Sequence, residues 1–212
     1  RDATVVHPPV DTERFTPTPR REDGYYLYVG QLIGYKQVGL AIEAFNRLQK
    51  PLVIVGDGGQ RAELMRLAGP TIRFLGRVDD NELRAAYRGC RALVFPGEED
   101  FGIVPLEAMA SGRPVLAYGR GGALETVVPG ETGLLFQEQT PEALIDAVRR
   151  YEATESLFDP DMIAAHAGAF SGDRFHQAML LTIERALSRP ATSRDDLIDL
   201  RPSPLETIPA IA

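Results

Sequence analysis

A chain of 212 residues with 44% hydrophobic and 25% charged content can bury a sizeable core and has the balance of an ordinary globular protein, one domain with an appendage. Its net charge of -7 disfavours a general nucleic-acid or anionic-membrane binder, whose affinity comes mainly from Lys and Arg. The single cysteine, Cys90, excludes a disulfide framework and a thiolate zinc site, reads as a small buried hydrophobe, and fits a reducing, cytoplasmic compartment.

No run reaches the roughly 18 apolar residues of a membrane-spanning helix, and no secretory signal pattern occurs. The chain begins with Arg1 rather than Met, as expected of a piece of a longer protein.

Residues 1–19 carry four prolines from Thr4 to Pro19 and read as an extended connection entering the domain. Short apolar runs ending in Gly or Pro then recur at Tyr25 to Gly30, Leu52 to Gly56, Ile72 to Gly76, Ala92 to Pro96 and Val115 to Gly119, with a further run at Leu134 to Phe136. Helical patterns lie between most of them. Val38, Ala41, Ile42, Phe45 and Leu48 form one apolar stripe over Gln37 to Gln49. Asp79 and Glu82 offer a capping box, Thr140-Pro141 an N-cap with proline at the first helical position, and a last helix is expected from Asp173 to about Leu187.

Strands alternating with helices predict a parallel sheet with right-handed crossovers. The fold class is therefore α/β, a doubly wound, mostly parallel six-stranded sheet with helices on both faces, over residues 20–188. Residues 189–212 have weak periodicity and are expected to be a mobile or loosely docked tail.

Chemistry-bearing residues gather after the strands, where open α/β sheets bind ligands. Gly30-Gln-Leu-Ile-Gly-Tyr-Lys36 is not a dinucleotide fingerprint, and no P-loop exists anywhere in the chain. Its Lys36 can neutralise a diphosphate or simply be solvated. Gly56-Asp-Gly-Gly59, Gly76-Arg-Val-Asp-Asp80 and Gly119-Arg-Gly-Gly-Ala-Leu-Glu125 mark the same edge, either as close approaches to a ligand or as tight turns.

The run from Gly97 to Val115 is the most informative. It places Glu99 in a turn, opens a helix near Gly102 and sets Glu107 about one turn further on, both acids pointing toward the mouth of the sheet. Backbone N–H groups of Gly102, Ile103 and Val104 would be unpaired there, and such a terminus is an anion site. His7, His166 and His176 lack metal-ligand spacing, Asp159-Pro160-Asp161 precedes a helix rather than following a strand, and Ser111-Gly112 lacks a nucleophile-elbow context.

Taken together, these segments resemble the carboxyl-terminal, donor-binding domain of the family 4 retaining glycosyltransferases, one half of a GT-B fold. The resemblance spans about Thr4 to Leu187 and rests on His7 to Phe15, Val29-Gly30 through Lys36, Ile54 to Gly58, Phe74 to Arg77, the Glu99-x7-Glu107 run, Gly119 to Val127 and Thr132 to Phe136. It implies that Glu107 grips the ribose diol, Glu99 contacts the transferred sugar and Lys36 neutralises the leaving diphosphate, with Glu99 and Lys36 as the catalytic pair. It also implies that backbone at Phe101, Gly102, Ile103 and Val104 holds hydroxyl or phosphate oxygens. Arg77, Val78 and Asp79 would border the base, and Gly58 would let its loop approach the donor.

One departure is Gln31, where the family usually carries a diphosphate-binding Arg; Gln donates hydrogen bonds but no charge. Local wording at Phe101 to Pro105 and Tyr118 to Gly122 is most similar to bacterial polysaccharide mannosyltransferases, implying GDP-mannose as donor and a glycan or polyprenyl-diphosphate-linked acceptor.

The implied chemistry is front-face transfer with retention and needs neither metal nor cofactor. The resemblance implies that the acceptor site belongs to an amino-terminal domain outside this chain, so transfer by this piece alone is not expected. In the full-length protein any location at the inner face of the membrane would come from that domain. A non-catalytic nucleotide-binding or sugar-binding module and a sugar-nucleotide epimerase of the same architecture remain the competing readings.

Overall fold

The computed structural model describes residues 4–19 and 24–188; the tail expected at 189–212 lies outside them, as do residues 1–3 of the connection and residues 20–23. The apolar runs become β1 (Tyr25–Val29), β2 (Leu52–Val55), β3 (Ile72–Gly76), β4 (Cys90–Phe95), β5 (Val115–Tyr118) and β6 (Gly133–Phe136). Every neighbouring pair is parallel, in the order β3-β2-β1-β4-β5-β6.

A parallel sheet is covered on both faces, so its central strands must be apolar throughout rather than alternating. All four residues of β2 are buried accordingly. Strand β4 starts earlier than its apolar run predicts because Tyr25 pairs with Cys90 across a register shift, which takes Cys90 fully into the core.

Helix α1 (Val38–Leu48) buries Val38, Ala41, Ile42 and Phe45 as the stripe predicts. Its expected end residues, Gln37 and Gln49, instead take left-handed conformations at φ 54° and 55° and form the caps. Helix α2 (Arg61–Leu67) buries only Leu64, so it shows no legible apolar period.

Helix α3 (Asp80–Gly89) opens on the predicted capping box. Asp79 Oδ1 accepts from Asn81 and Glu82 N–H at 2.8 and 2.9 Å, and Glu82 Oε2 accepts from Asp79 N–H at 2.9 Å. Helices α4 (Ile103–Ala110), α5 (Ala123–Thr126), α6 (Pro141–Thr154), α7 (Pro160–Ala167) and α8 (Gly172–Ser188) follow. Asp159 caps α7, so the Asp159-Pro160-Asp161 triplet serves a helix start. Helix α1 packs against α2 and α6, while α4 lies between the sheet and α7.

The connection is docked along the domain. Val10 N–H donates to Phe170 O at 2.8 Å, and Val10 and Phe15 are both buried. Most of the core is aliphatic or aromatic, each fully buried large side chain contributing about 1.5–3 kcal/mol. Arg113 is the charged exception among the described residues. Fully buried, it donates to the carbonyls of Tyr87 (3.2 Å), Arg88 (2.7 Å) and Pro19 (3.1 Å) and to Thr18 Oγ1 (2.7 Å), tying the connection to the end of α3.

Candidate functional site at the carboxyl edge of the sheet

Strand order reverses between β1 and β4, and in open parallel sheets the crevice at such a point is where ligands bind. A cleft of about 580 Å³ opens beside it. Gly30, Gln31 and Ile33 line it from the loop after β1, Gly56, Asp57 and Gly58 from the loop after β2, and Arg77 and Val78 from the loop after β3, with Leu83 of α3 on the wall.

The floor is tight because two loops touch backbone to backbone. A Cβ on Gly56 would lie 1.9 Å from Gly30 O, and one on Gly58 would lie 2.5 Å from Leu32 O. Leu32 N–H donates to Asp57 O and Gln60 N–H returns to Leu32 O, both at 3.0 Å. Gly58 is therefore dictated first by loop–loop contact, and its place on the cleft wall follows from that.

Lys36 comes from a single 3-10 turn, Gly34–Lys36, and reaches Glu99 on the far side of the reversal, where Nζ contacts Glu99 Oε1. Both side chains are mostly buried, 15% and 21% exposed. The Glu99 loop is fixed from β5: Gly122 N–H donates to Glu99 O at 2.7 Å, and a Cβ on Gly121 or Gly122 would lie 2.2 Å from Glu99 O or Phe101 Cα. The glycines at 121 and 122 thus hold the loop, and the Gly122 N–H is spent on it rather than left for a ligand.

Helix α4 starts on Gly102, at φ 83°, with no side-chain cap, and Pro105 brings no N–H. Ile103 is exposed, so this end of the helix is accessible. Phe101 is held by stacking on His7 of the connection, with ring centroids 5.1 Å apart and planes 13° apart, and by Phe170 at 5.9 Å. His7 Nδ1 lies 3.5 Å from Glu125 Oε2.

Glu107 is the polar residue in a helix whose Pro105, Leu106, Ala108, Met109 and Ala110 are all buried. Burial raises its carboxyl above the ordinary 4.5, opposed by a hydrogen bond from Tyr87 Oη to Glu107 Oε2 at 2.7 Å and by the Arg14 guanidinium.

The sequence-predicted residues fall into three groups. Gln31, Gly58, Arg77 and Val78 line the cleft itself. Lys36, Glu99, Phe101, Gly102, Ile103, Val104 and Glu107 stand on the neighbouring elements rather than in its lining. Asp79 does not supply a free backbone donor, because Glu82 takes its N–H in the capping box.

Sequence reasoning missed Tyr87 and the packing of His7 on Phe101. Tyr87 follows Leu83 by one helical turn, a spacing that signals only a core stripe. Among the described residues no group of three or more His, Cys, Asp or Glu side chains is placed to hold a metal ion, and no helix is long and apolar enough to cross a membrane.

The model of the glycosyl transferases group 1 family matches residues 9–164. The chain belongs to that family. Among its relatives, a GDP-mannose-dependent alpha-mannosyltransferase of Mycobacterium tuberculosis is 39% identical over 159 residues, covering 66% of this chain and 41% of that protein.

Among solved structures, a sucrose-phosphate synthase from Thermosynechococcus elongatus is 25% identical with a TM-score of 0.76, covering 87% of this chain and 53% of that one. The C-terminal domain of a glycosyl transferase group 1 family protein (LpcC) from Francisella tularensis is 25% identical with a TM-score of 0.61, covering 74% of this chain and 94% of that one. The chain thus spans less than half the length of the curated relative, and it is the solved C-terminal domain whose length it nearly covers.

Proposed function

We propose that this chain is the donor-binding half of a family 4, retaining glycosyltransferase that moves a hexose, mannose from GDP-mannose, onto a glycan or polyprenyl-diphosphate-linked acceptor in bacterial polysaccharide assembly. The observation that carries this reading is the meeting of Lys36 and Glu99 across the strand-order reversal, beside the uncapped start of α4. A base against Arg77 and Val78 puts the nucleoside in the cleft, the ribose toward Glu107, and the diphosphate and sugar toward Lys36, Glu99 and α4. The name of the 39% identical relative supports GDP-mannose.

In this scheme bond breaking at the anomeric carbon leaves charge on a phosphate oxygen. The Lys36 ammonium and the amides at the start of α4 stabilise that charge in place, without reorganisation. The departing oxygen takes the acceptor proton on the same face, which retains configuration. No metal is required, because Lys36 and the helix terminus supply the positive field. The acceptor is held by an amino-terminal domain, so the isolated chain binds nucleotide and transfers nothing. The full-length enzyme works in the cytoplasm, and any placement at the inner face of the membrane comes from the amino-terminal domain.

Product analysis tests the reading. The full-length enzyme, given GDP-mannose and a polyprenyl-diphosphate glycan, is expected to yield an acceptor longer by one α-linked mannose. An epimerised donor, or no product from any sugar nucleotide, would overturn it.

A further inference from the structure

Glu107 is held by a residue from another element, and the way it is held bears on recognition. Tyr87 is fully buried, and burial pushes its phenol well above the ordinary 10, so the hydroxyl donates and does not ionise. Its donor is spent on Glu107 Oε2 at 2.7 Å. Among the described residues no hydrogen bond occupies Oε1.

The ring cannot swing away. Phe15 of the connection packs on it edge to face, with centroids 5.5 Å apart and planes at 89°, and Arg113 Nε donates to the Tyr87 carbonyl at 3.2 Å. Leu83, one helical turn earlier on α3, lines the cleft. An acid half buried in an apolar helix has few ways to be satisfied, and an immobile phenol supplies one while fixing which oxygen stays available.

We propose that Tyr87 is the positioning residue for ribose recognition: its hydroxyl pins one oxygen of Glu107 and leaves the other, in a fixed orientation, for the ribose diol. This rests on the donor-site reading above. Through Phe15, Thr18 and Pro19 it also ties the ribose grip to the connection, so the two are set by one packed unit.

The test compares the chain with Tyr87→Phe, which keeps the ring and removes the hydroxyl. Each is titrated calorimetrically with GDP and UDP and with their 2′,3′-dideoxy counterparts. For the wild type the ribose form should bind about tenfold more tightly than the dideoxy form, the scale of a hydrogen bond to a charged group. In Tyr87→Phe most of that preference should vanish while affinity for the dideoxy form stays as it was, an outcome that a general loss of packing does not produce.

The acid limb of the ribose preference should also move to higher pH in the variant, because a bond that favours the carboxylate is gone. Phe15→Leu, which keeps the hydroxyl and loosens the ring, should give a partial loss. A wild type that discriminates and a Tyr87→Phe that discriminates equally would overturn the role of Tyr87 alone. A wild type indifferent to the ribose hydroxyls, or binding neither nucleotide, would overturn the donor-site reading beneath it.

Discussion

Lys36 and Glu99 are paired across the reversal of strand order, one carried by the loop after β1 and the other by the loop after β4. Neither side chain is more than 21% exposed, so the pair is not a solvated surface bridge. Each orients the other, and in the proposed reading this fixes the acid for a sugar hydroxyl and sets the ammonium where a diphosphate can share it.

The first expectation concerns charge at this point. Lys36→Ala should weaken GDP binding by about tenfold to a hundredfold, the cost of losing a charge-assisted contact, and leave guanosine binding unchanged. Gln31→Ala, which removes hydrogen bonds but no charge, should cost less. Calorimetry with GDP and guanosine checks both, and in the full-length enzyme Lys36→Ala should nearly abolish transfer. Equal losses in the two variants would place the diphosphate away from Lys36.

A second expectation follows from the glycines beneath the Glu99 loop. Adding a Cβ at Gly122 puts it 2.2 Å from Phe101 Cα, a contact that backbone must relieve by moving. Gly122→Ala should destabilise the fold by about 1–3 kcal/mol, read by denaturant melts, and should weaken GDP binding. Gly130→Ala, where nothing lies within 4 Å but φ is 85°, should lower stability without touching affinity.

Arg113 supports a purely structural expectation. Arg113→Met keeps the stem but strips donors from the carbonyls of Tyr87, Arg88 and Pro19. With hydrogen bonds to a charged group contributing about 1.5–3 kcal/mol each, the loss should be roughly 3 kcal/mol or more, measured from urea midpoints.

The pH dependence of Glu107 has a definite sign. Its carboxyl is raised by burial, so the folded state binds that proton more tightly than the unfolded chain. The stabilisation from that proton is present on the acid side and is lost as pH rises through the folded pKa, above 4.5. The charged form therefore costs stability at neutral pH. Glu107→Gln should match or exceed the wild type in thermal stability, with the gap opening as pH rises above 4.5 and levelling off once the folded carboxyl is ionised, yet lose the preference for ribose over dideoxyribose.

The sheet and most helices were legible because strand runs and apolar stripes are local. Val38 to Phe45 declares its buried face by spacing alone, and Asp79 with Glu82 declares a helix start. Helix α2, with Leu64 as its one buried residue, has no such signature.

At the site, residue types that name a chemistry were legible: Lys36, Glu99 and Glu107. Contacts made between distant elements were not. Nothing local in Leu83 to Tyr87 says that this phenol meets Glu107, and nothing in His7 says that it stacks on Phe101. Gly121 and Gly122 were readable as a glycine turn but not as the seat of the Glu99 loop.

The central claim is that a nucleoside diphosphate sits between the cleft, Lys36 and Glu107. Calorimetry of this chain with GDP, UDP and ADP in parallel, repeated with Glu107→Ala, tests it most directly. The claim predicts tightest binding of GDP in the wild type and loss of most of that affinity in the variant; the same affinity in both proteins, or no binding of any of the three, would contradict it.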